Sequence, residues 1–195
     1  LARVPEGTHH YIKRVLDAGA EGIIVPQVRS AREVEQVVAA CRYPPLGRRG
    51  WGPRRPADYG RRPQAQVVDE ANQRLFVVAQ IETVEAVDEI EAIVALEGLD
   101  SVVVGPYDLS ASLGVLGQLE HPQVVQAIEQ IVAVAHRAGR WVGFGDEAAA
   151  QSCARWARMG ADWIQCGGAD AYMNRHARQL LDEVRGAVGT RLESP

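Results

Sequence analysis

Short apolar runs alternate with longer stretches of helical periodicity along this chain. The runs are Gly22 to Gln27 (GIIVPQ), Leu75 to Gln80 (LFVVAQ), Ser101 to Gly105 (SVVVG), Trp141 to Gly145 (WVGFG) and Asp162 to Cys166 (DWIQC). They lack the polar alternation of a half-exposed strand, so they predict the strands of a buried parallel sheet. The intervening stretches carry helix signals. Ser30 and Glu33 form a capping box ahead of a helix predicted to reach about Cys41. Pro122 opens a helix in which Val125, Ile128, Ile131, Val132 and Ala135 form one apolar stripe, and His136, Arg137 and Gly139 suit its C-terminus. Gly19, Gly98 and Gly160 each end a helix shortly before a predicted strand.

This is a (β/α) repeat. A TIM barrel uses about 31 residues per unit, so 195 residues supply roughly six units. Five runs are clear, and a sixth strand would end at Leu1-Ala2-Arg3. The expected fold is an α/β TIM (β/α)8 barrel whose first two βα units are missing from this chain. Residues 1–195 would then form a single domain carrying about strands 3 to 8. An open doubly wound sheet is the alternative, but its Gly-rich phosphate turn is absent.

Composition narrows the chemistry. With 47% apolar and 24% charged residues, the chain reads as an ordinary globular protein, and no apolar run is long enough to cross a bilayer. The net charge is −4 without long blocks of one sign, which argues against nucleic-acid binding. An Arg-rich stretch from Arg48 to Arg62, with Trp51 and Tyr59, reads as a solvated loop or subunit contact, with an RNA or phosphate patch as the alternative. The three cysteines, Cys41, Cys153 and Cys166, show no paired spacing. They read as small buried fillers in a protein of a reducing, cytoplasmic compartment. Lys13 is the only lysine among 21 basic residues and reads as solvated. A Schiff-base enzyme needs a lysine in a dry pocket, and a P-loop needs one after its glycine turn. This chain offers neither.

Barrel active sites lie at the C-terminal ends of the strands. Gln80-Ile81-Glu82-Thr83 follows one strand and Gly105-Pro106-Tyr107-Asp108-Leu109-Ser110 the next. Adjacent strands lie about 4.8 Å apart, so Glu82 and Asp108 are expected to converge at the rim. Two such carboxylates repel unless a proton or cation lies between them. Oxygen ligands without His or Cys suit Mg²⁺ or Mn²⁺, with open positions for substrate. Gln80 shares a face with Glu82, and Arg3 is placed to bind a substrate carboxylate or an enolate oxygen. The alternative at this stage is that Glu82 and Asp108 cap the helices that follow them.

The stretches LARVPEGTHHYIKRVLDAGAEGIIVPQV, CRYPPLGRRGWG, VAQIETVEAVDEIEAIVALEGLDSVVVGPYDLSASLG and HPQVVQAIEQ resemble the HpcH/HpaI aldolases, metal-dependent class II pyruvate aldolases of the 2-oxo-3-deoxy acid type. The paired QIE and GPxDLS motifs are the specific part. The resemblance implies a barrel of the phosphoenolpyruvate/pyruvate type. It implies Glu82 and Asp108 as ligands of Mg²⁺ or Mn²⁺, with Co²⁺ a further candidate. It also implies Gln80, Tyr107 and Asp108 as substrate contacts, Arg3 as the enolate-stabilising residue and Asp17 as support for the catalytic base. Many family members carry a small residue where Tyr107 stands, so pocket shape differs here. The reaction implied is cleavage of a 4-hydroxy-2-oxo acid, a 2-oxo-3-deoxy sugar acid or hydroxy-oxo-diacid, to pyruvate and an aldehyde through a metal-stabilised enolate. The family's catalytic His falls before residue 1. None of His9, His10, His121, His136 and His176 lies on the matching loop, and His121 reads as a helix cap. Homo-oligomers, hexamers or trimers of dimers, are expected, with the last helix, about 171–187, exchanged between subunits. Two other readings stand beside this one. The first is a citrate-lyase-β or malyl-CoA-lyase type enzyme with CoA on the Arg48 to Arg62 stretch. The second is a truncated, non-catalytic barrel that binds metal and a 2-oxo acid.

Overall fold

The computed structural model describes residues 1–146 and 149–188. The remaining positions of the expected 1–195 domain lie outside the described residues. Six parallel strands form one curled sheet. They are β1 (Ala2–Arg3), β2 (Gly22–Val25), β3 (Phe76–Ile81), β4 (Ser101–Val104), β5 (Trp141–Asp146) and β6 (Trp163–Cys166). Their spatial order is their chain order. Right-handed crossovers between consecutive strands put the connecting helices on the same face of the sheet. That is the arrangement of a barrel wall. A doubly wound sheet would reverse its strand order and carry helices on both faces.

The helices are α1 (His9–Asp17), α2 (Ala31–Cys41), α3 (Gln64–Arg74), α4 (Val84–Asp88), α5 (Ile90–Val94), α6 (Pro106–Ser112), α7 (Pro122–Arg137), α8 (Ala150–Arg158) and α9 (Ala169–Val188). Strand parity divides the core. Ile23, Val25, Val77, Ala79, Ile81, Val102, Val104, Val142 and Phe144 join the large cluster under the helices. Ile24, Val78 and Val103, with Phe76 and Trp163, form a small cluster on the concave face. There a Cβ on Gly143 would lie 2.2 Å from the Trp163 ring, so only glycine admits that indole. Its Nε1 donates to Ser101 Oγ at 3.0 Å, which donates to the Trp141 carbonyl at 2.8 Å. A buried polar group is thereby satisfied between three strands.

The glycine junctions have a second role. Gly98 and Gly160 adopt φ of 85° and 100°, backbone that a side chain resists. Two residues on, Asp100 and Asp162 each accept a backbone N–H of the preceding strand, Val77 and Val142, at 2.7 Å. Asp100 also receives Arg42 at 3.4 Å, and Asp162 meets His136 at 3.0 Å.

Several expectations need correction. The stripe of α7 includes Val124 and Ala127, and Val125 is only half-buried. Lys13 is not solvated: it is partly buried and paired with Asp17 on α1. Only Cys41 is a buried filler; Cys166 is exposed, and its Sγ lies 3.7 Å from that of half-buried Cys153. The run ending at Gln27 stops being a strand at Val25. Ser30 does cap α2, accepting from Glu33 N at 3.3 Å, while Glu33 reaches back to Arg29 N at 2.9 Å. The last helix spans Ala169–Val188 and buries no residue against the rest of the described chain.

Candidate active site

Glu82 lies between the end of β3 and the start of α4, and is 2% exposed. Thr83, not Glu82, caps α4: its Oγ1 accepts from Ala86 N at 3.2 Å and donates to the Val28 carbonyl at 3.1 Å. The Glu82 carboxylate is therefore free for other work. Its Oε1 accepts both the backbone N–H and the side-chain amide of Gln27, each at 2.8 Å. Its Oε2 accepts from Gln80 Nε2. Three donors fix the direction of one buried carboxylate.

Gln27 has φ of 57°, the left-handed region that non-glycine residues rarely adopt. That turn lets its N–H and its side chain converge on the same oxygen. Sequence reasoning missed Gln27, because a backbone angle leaves no signature in the run GIIVPQ.

Asp108 stands in the first turn of α6, beyond β4, with its side chain exposed. Gly105 is the residue before that helix, and φ of −100° makes no demand for glycine there. Space makes the demand instead. A Cβ at Gly105 would lie 2.5 Å from Glu82 Oε2 and 2.9 Å from Gln80 Nε2. Burial pushes the Glu82 carboxyl above its ordinary value, and the Asp108 charge pushes the same way, while the Gln27 and Gln80 donors hold it down.

This donor set fits a hard divalent cation. Glu82 lies against a position without a Cβ, the Asp108 charge from the adjacent strand end acts on it, and no positive charge is among the causes that set its pKa. Among the described residues no group of three or more His, Cys, Asp and Glu is placed to hold a metal ion. A cation here would keep open positions, as Mg²⁺ does when it binds through one or two carboxylates and substrate oxygens.

The structure joins Gln80 to Glu82 by a hydrogen bond and puts the Asp108 charge near enough to act on Glu82, with Tyr107 next to Asp108; Arg3 stands level with Ile24 and, through it, with Val78, two residues before Gln80. Arg3 ends β1 in register with Ile24, so it shares the concave face. Tyr107 is 44% exposed and lines a cavity of about 880 Å³ with Gln165 and Arg175. Asp17 is not brought to this place. It ends α1, at the opposite end of the sheet, where Arg49 donates to it at 3.0 Å and Lys13 pairs with it. The support for a base that the resemblance implies is thus not supplied within one copy of this chain. His121 caps α7 by accepting from Gln123 N at 3.4 Å, while His9 and His10 are exposed on the first turn of α1.

Comparison with known proteins gives this geometry a context. The 2-keto-3-deoxy-L-rhamnonate aldolase of Salmonella gallinarum is 41% identical over 171 residues, which is 86% of this chain and 62% of that protein. This chain therefore spans less than two thirds of the length of the curated relatives it matches. The crystal structure of an HpcH/HpaI aldolase from Desulfitobacterium hafniense superposes with a TM-score of 0.86 at 35% identity, covering 99% of this chain and 73% of that one. The citrate synthase SbnG superposes with a TM-score of 0.81 at 32% identity, covering 95% and 71%. The family model described as HpcH/HpaI aldolase/citrate lyase matches residues 1–177, a span that holds Arg3, Gln27, Gln80, Glu82 and Asp108, and the chain belongs to that family.

Proposed function

We propose that this chain carries the enolate-stabilising site of a divalent-metal-dependent aldolase, a carbon–carbon lyase that releases pyruvate from a 4-hydroxy-2-oxo acid. The observation that carries this reading is the buried, triply hydrogen-bonded Glu82 beside Asp108 and Gly105. The relative's name favours a 2-oxo-3-deoxy sugar acid as the substrate.

Glu82 and Asp108 would hold the cation, Mg²⁺, Mn²⁺ or Co²⁺. When bound, it supplies Lewis-acid stabilisation of negative charge on the 2-oxo oxygen. The chain's own residues do the rest of the positioning. Arg3 offers a fixed guanidinium where that charge develops. Gln80 and the first turn of α6, Tyr107 included, orient the carboxylate end of the substrate. Gln27 keeps Glu82 aimed without reorganisation during turnover.

The Arg48 to Arg62 stretch weakens the CoA-dependent reading. Arg49, Arg55 and Arg62 lie with Glu21 and Leu75 at the far end of the sheet, away from Glu82. Homo-oligomers built through α9 belong to the same proposal, since α9 exposes Tyr172, Met173, Leu180 and Leu181. Sedimentation is expected to show an assembly larger than one chain.

The test is pyruvate release, coupled to lactate dehydrogenase, from a 4-hydroxy-2-oxo acid and from oxaloacetate, with Mn²⁺ against chelator. Oxaloacetate loses CO₂ without a base, so it isolates the site described here. Metal-dependent pyruvate that disappears in Glu82→Gln and Asp108→Asn supports the proposal. Metal binding without turnover of either compound would move the reading to a non-catalytic 2-oxo-acid binding module.

A further inference from the structure

The end of the sheet opposite Glu82 carries a second cavity, of about 560 Å³. Apolar side chains of Leu16, Val67 and Leu75 line part of it. Four guanidiniums, Arg49, Arg55, Arg62 and Arg74, line it as well, against two carboxylates, Glu21 and Glu70. Some of this charge is already matched. Arg62 donates to Glu70 at 2.6 Å, and Arg49 NH2 to Asp17 at 3.0 Å. Arg55 makes no ion pair among the described residues, and Arg74 makes no direct one, although its charge helps to lower the pKa of Glu70. The cavity thus holds surplus positive charge.

Two orphaned atoms sharpen the picture. Tyr43 Oη and Arg49 Nε are buried without a hydrogen-bond partner among the described residues. The two residues are 3% and 4% exposed and both line this cavity. The Arg49 guanidinium stacks on the Tyr43 ring, 4.6 Å from its centroid, so the two groups are held side by side. Arg Nε–H can only donate, and a phenol donates well. Buried donors left unmatched are costly and rare in folded proteins. Both therefore call for an acceptor, and the surrounding charge calls for an anionic one. The volume exceeds what a bare inorganic anion needs and falls in the range of small-metabolite pockets.

We propose that this cavity binds a small organic anion. Its oxyanion group, a phosphate ester or a carboxylate, accepts from Arg49 Nε and Tyr43 Oη. Arg55 and Arg74 balance the remaining charge, and the apolar wall takes the carbon body. Within one chain this cavity and the proposed cation site at Glu82 lie at opposite ends of the strands.

Isothermal titration calorimetry of the protein in chloride buffer tests it with three probes: inorganic phosphate, glycerol 3-phosphate and succinate. The expected result is one site per chain for glycerol 3-phosphate or succinate, with Kd below about 1 mM, and weaker binding of inorganic phosphate. The better of the two organic probes names the source of the oxyanion. Tyr43→Phe removes one hydroxyl and keeps the ring on which Arg49 stacks, so the fold survives while Kd rises about tenfold. The double variant Arg55→Gln/Arg74→Gln, at exposed positions, is expected to do the same. Glu82→Gln should leave the binding unchanged, which separates this site from the proposed activity. Absence of saturable heat with all three probes at about 10 mM overturns the proposal, as does binding indifferent to these variants. Equal affinity for inorganic phosphate and its ester overturns the organic body.

Discussion

The backbone N–H and the side-chain amide of Gln27 donate to the same oxygen of Glu82, each at 2.8 Å, across 55 residues of sequence. The left-handed backbone at Gln27, φ 57°, makes this possible and costs about 1–2 kcal/mol for a residue with a Cβ. Outer partners of a metal ligand typically govern about 10- to 100-fold in affinity. Gln27→Ala is therefore expected to weaken Mn²⁺ binding by at least tenfold in a calorimetric titration. Gln27→Gly, which also lacks the amide but relieves the backbone, should bind as weakly while being about 1 kcal/mol more stable than the alanine variant. Wild-type affinity in either variant would show that the amide does not orient Glu82.

Gly105 tests space rather than backbone freedom. Its φ of −100° suits any residue, but an added Cβ would press on Glu82 Oε2 at 2.5 Å. Gly105→Ala should destabilise the fold by about 1–3 kcal/mol, the usual cost of overpacking. It should also lower cation affinity by about tenfold or more. Chemical unfolding and metal titration of one preparation separate the two effects.

The raised pKa of Glu82 has a definite sign. Its ordinary value is 4.5, and burial followed by the Asp108 charge moves it upward in the fold. Between 4.5 and that raised value the folded state holds more protons than the unfolded state, so stability falls as pH rises through this window. Glu82→Gln is expected to flatten that part of the metal-free profile. Cation binding runs the other way and strengthens as pH rises through the same window, because a proton and the cation compete for one carboxylate. A wild-type profile already flat there would contradict the burial argument.

Arg42 is a structural anchor at the opposite end of the strands. It is 5% exposed and donates to the carbonyls of Ala71, Asn72 and Gly98 and to Asp100. Asp100 in turn holds Val77 N. Arg42→Ala would leave these acceptors unmatched, and a loss of about 3 kcal/mol or more is expected in urea unfolding. A loss below about 1 kcal/mol would mean that solvent replaces the guanidinium.

The three thiols should separate by reactivity. Burial pushes Cys41 up to about 12, so it holds almost no thiolate near neutral pH. Exposed Cys166 is expected to react with a disulfide reagent in the native protein. Cys41 should react only on unfolding, and mass spectrometry of the labelled peptides reads the difference.

The alternation of apolar runs and amphipathic stretches made the sheet legible. A strand buried on both faces has nowhere to place polar side chains, and the runs at 22–27, 75–80 and 101–105 announce that in composition alone. The pairing of Gln80 with Glu82, and the nearness of the Asp108 charge to it, were legible for the same reason. Consecutive parallel strands are neighbours, so the residues just after them meet at one rim. The role of Gln27 was not legible, since it depends on a backbone angle and on the side chain of Glu82, just beyond the next strand. Tertiary structure also decided which residues share an end of the sheet. The resemblance put Asp17 near the catalytic base, yet a helix that returns from the strand ends carries its last residue to the far side. There Asp17 meets Arg49, and Arg49 lines the cavity with Tyr43. Sequence determined the periodicities, because they follow from burying one helix stripe and both strand faces. Only the folded chain decided which charges and donors stand together without partners, because that depends on distances between residues far apart in sequence.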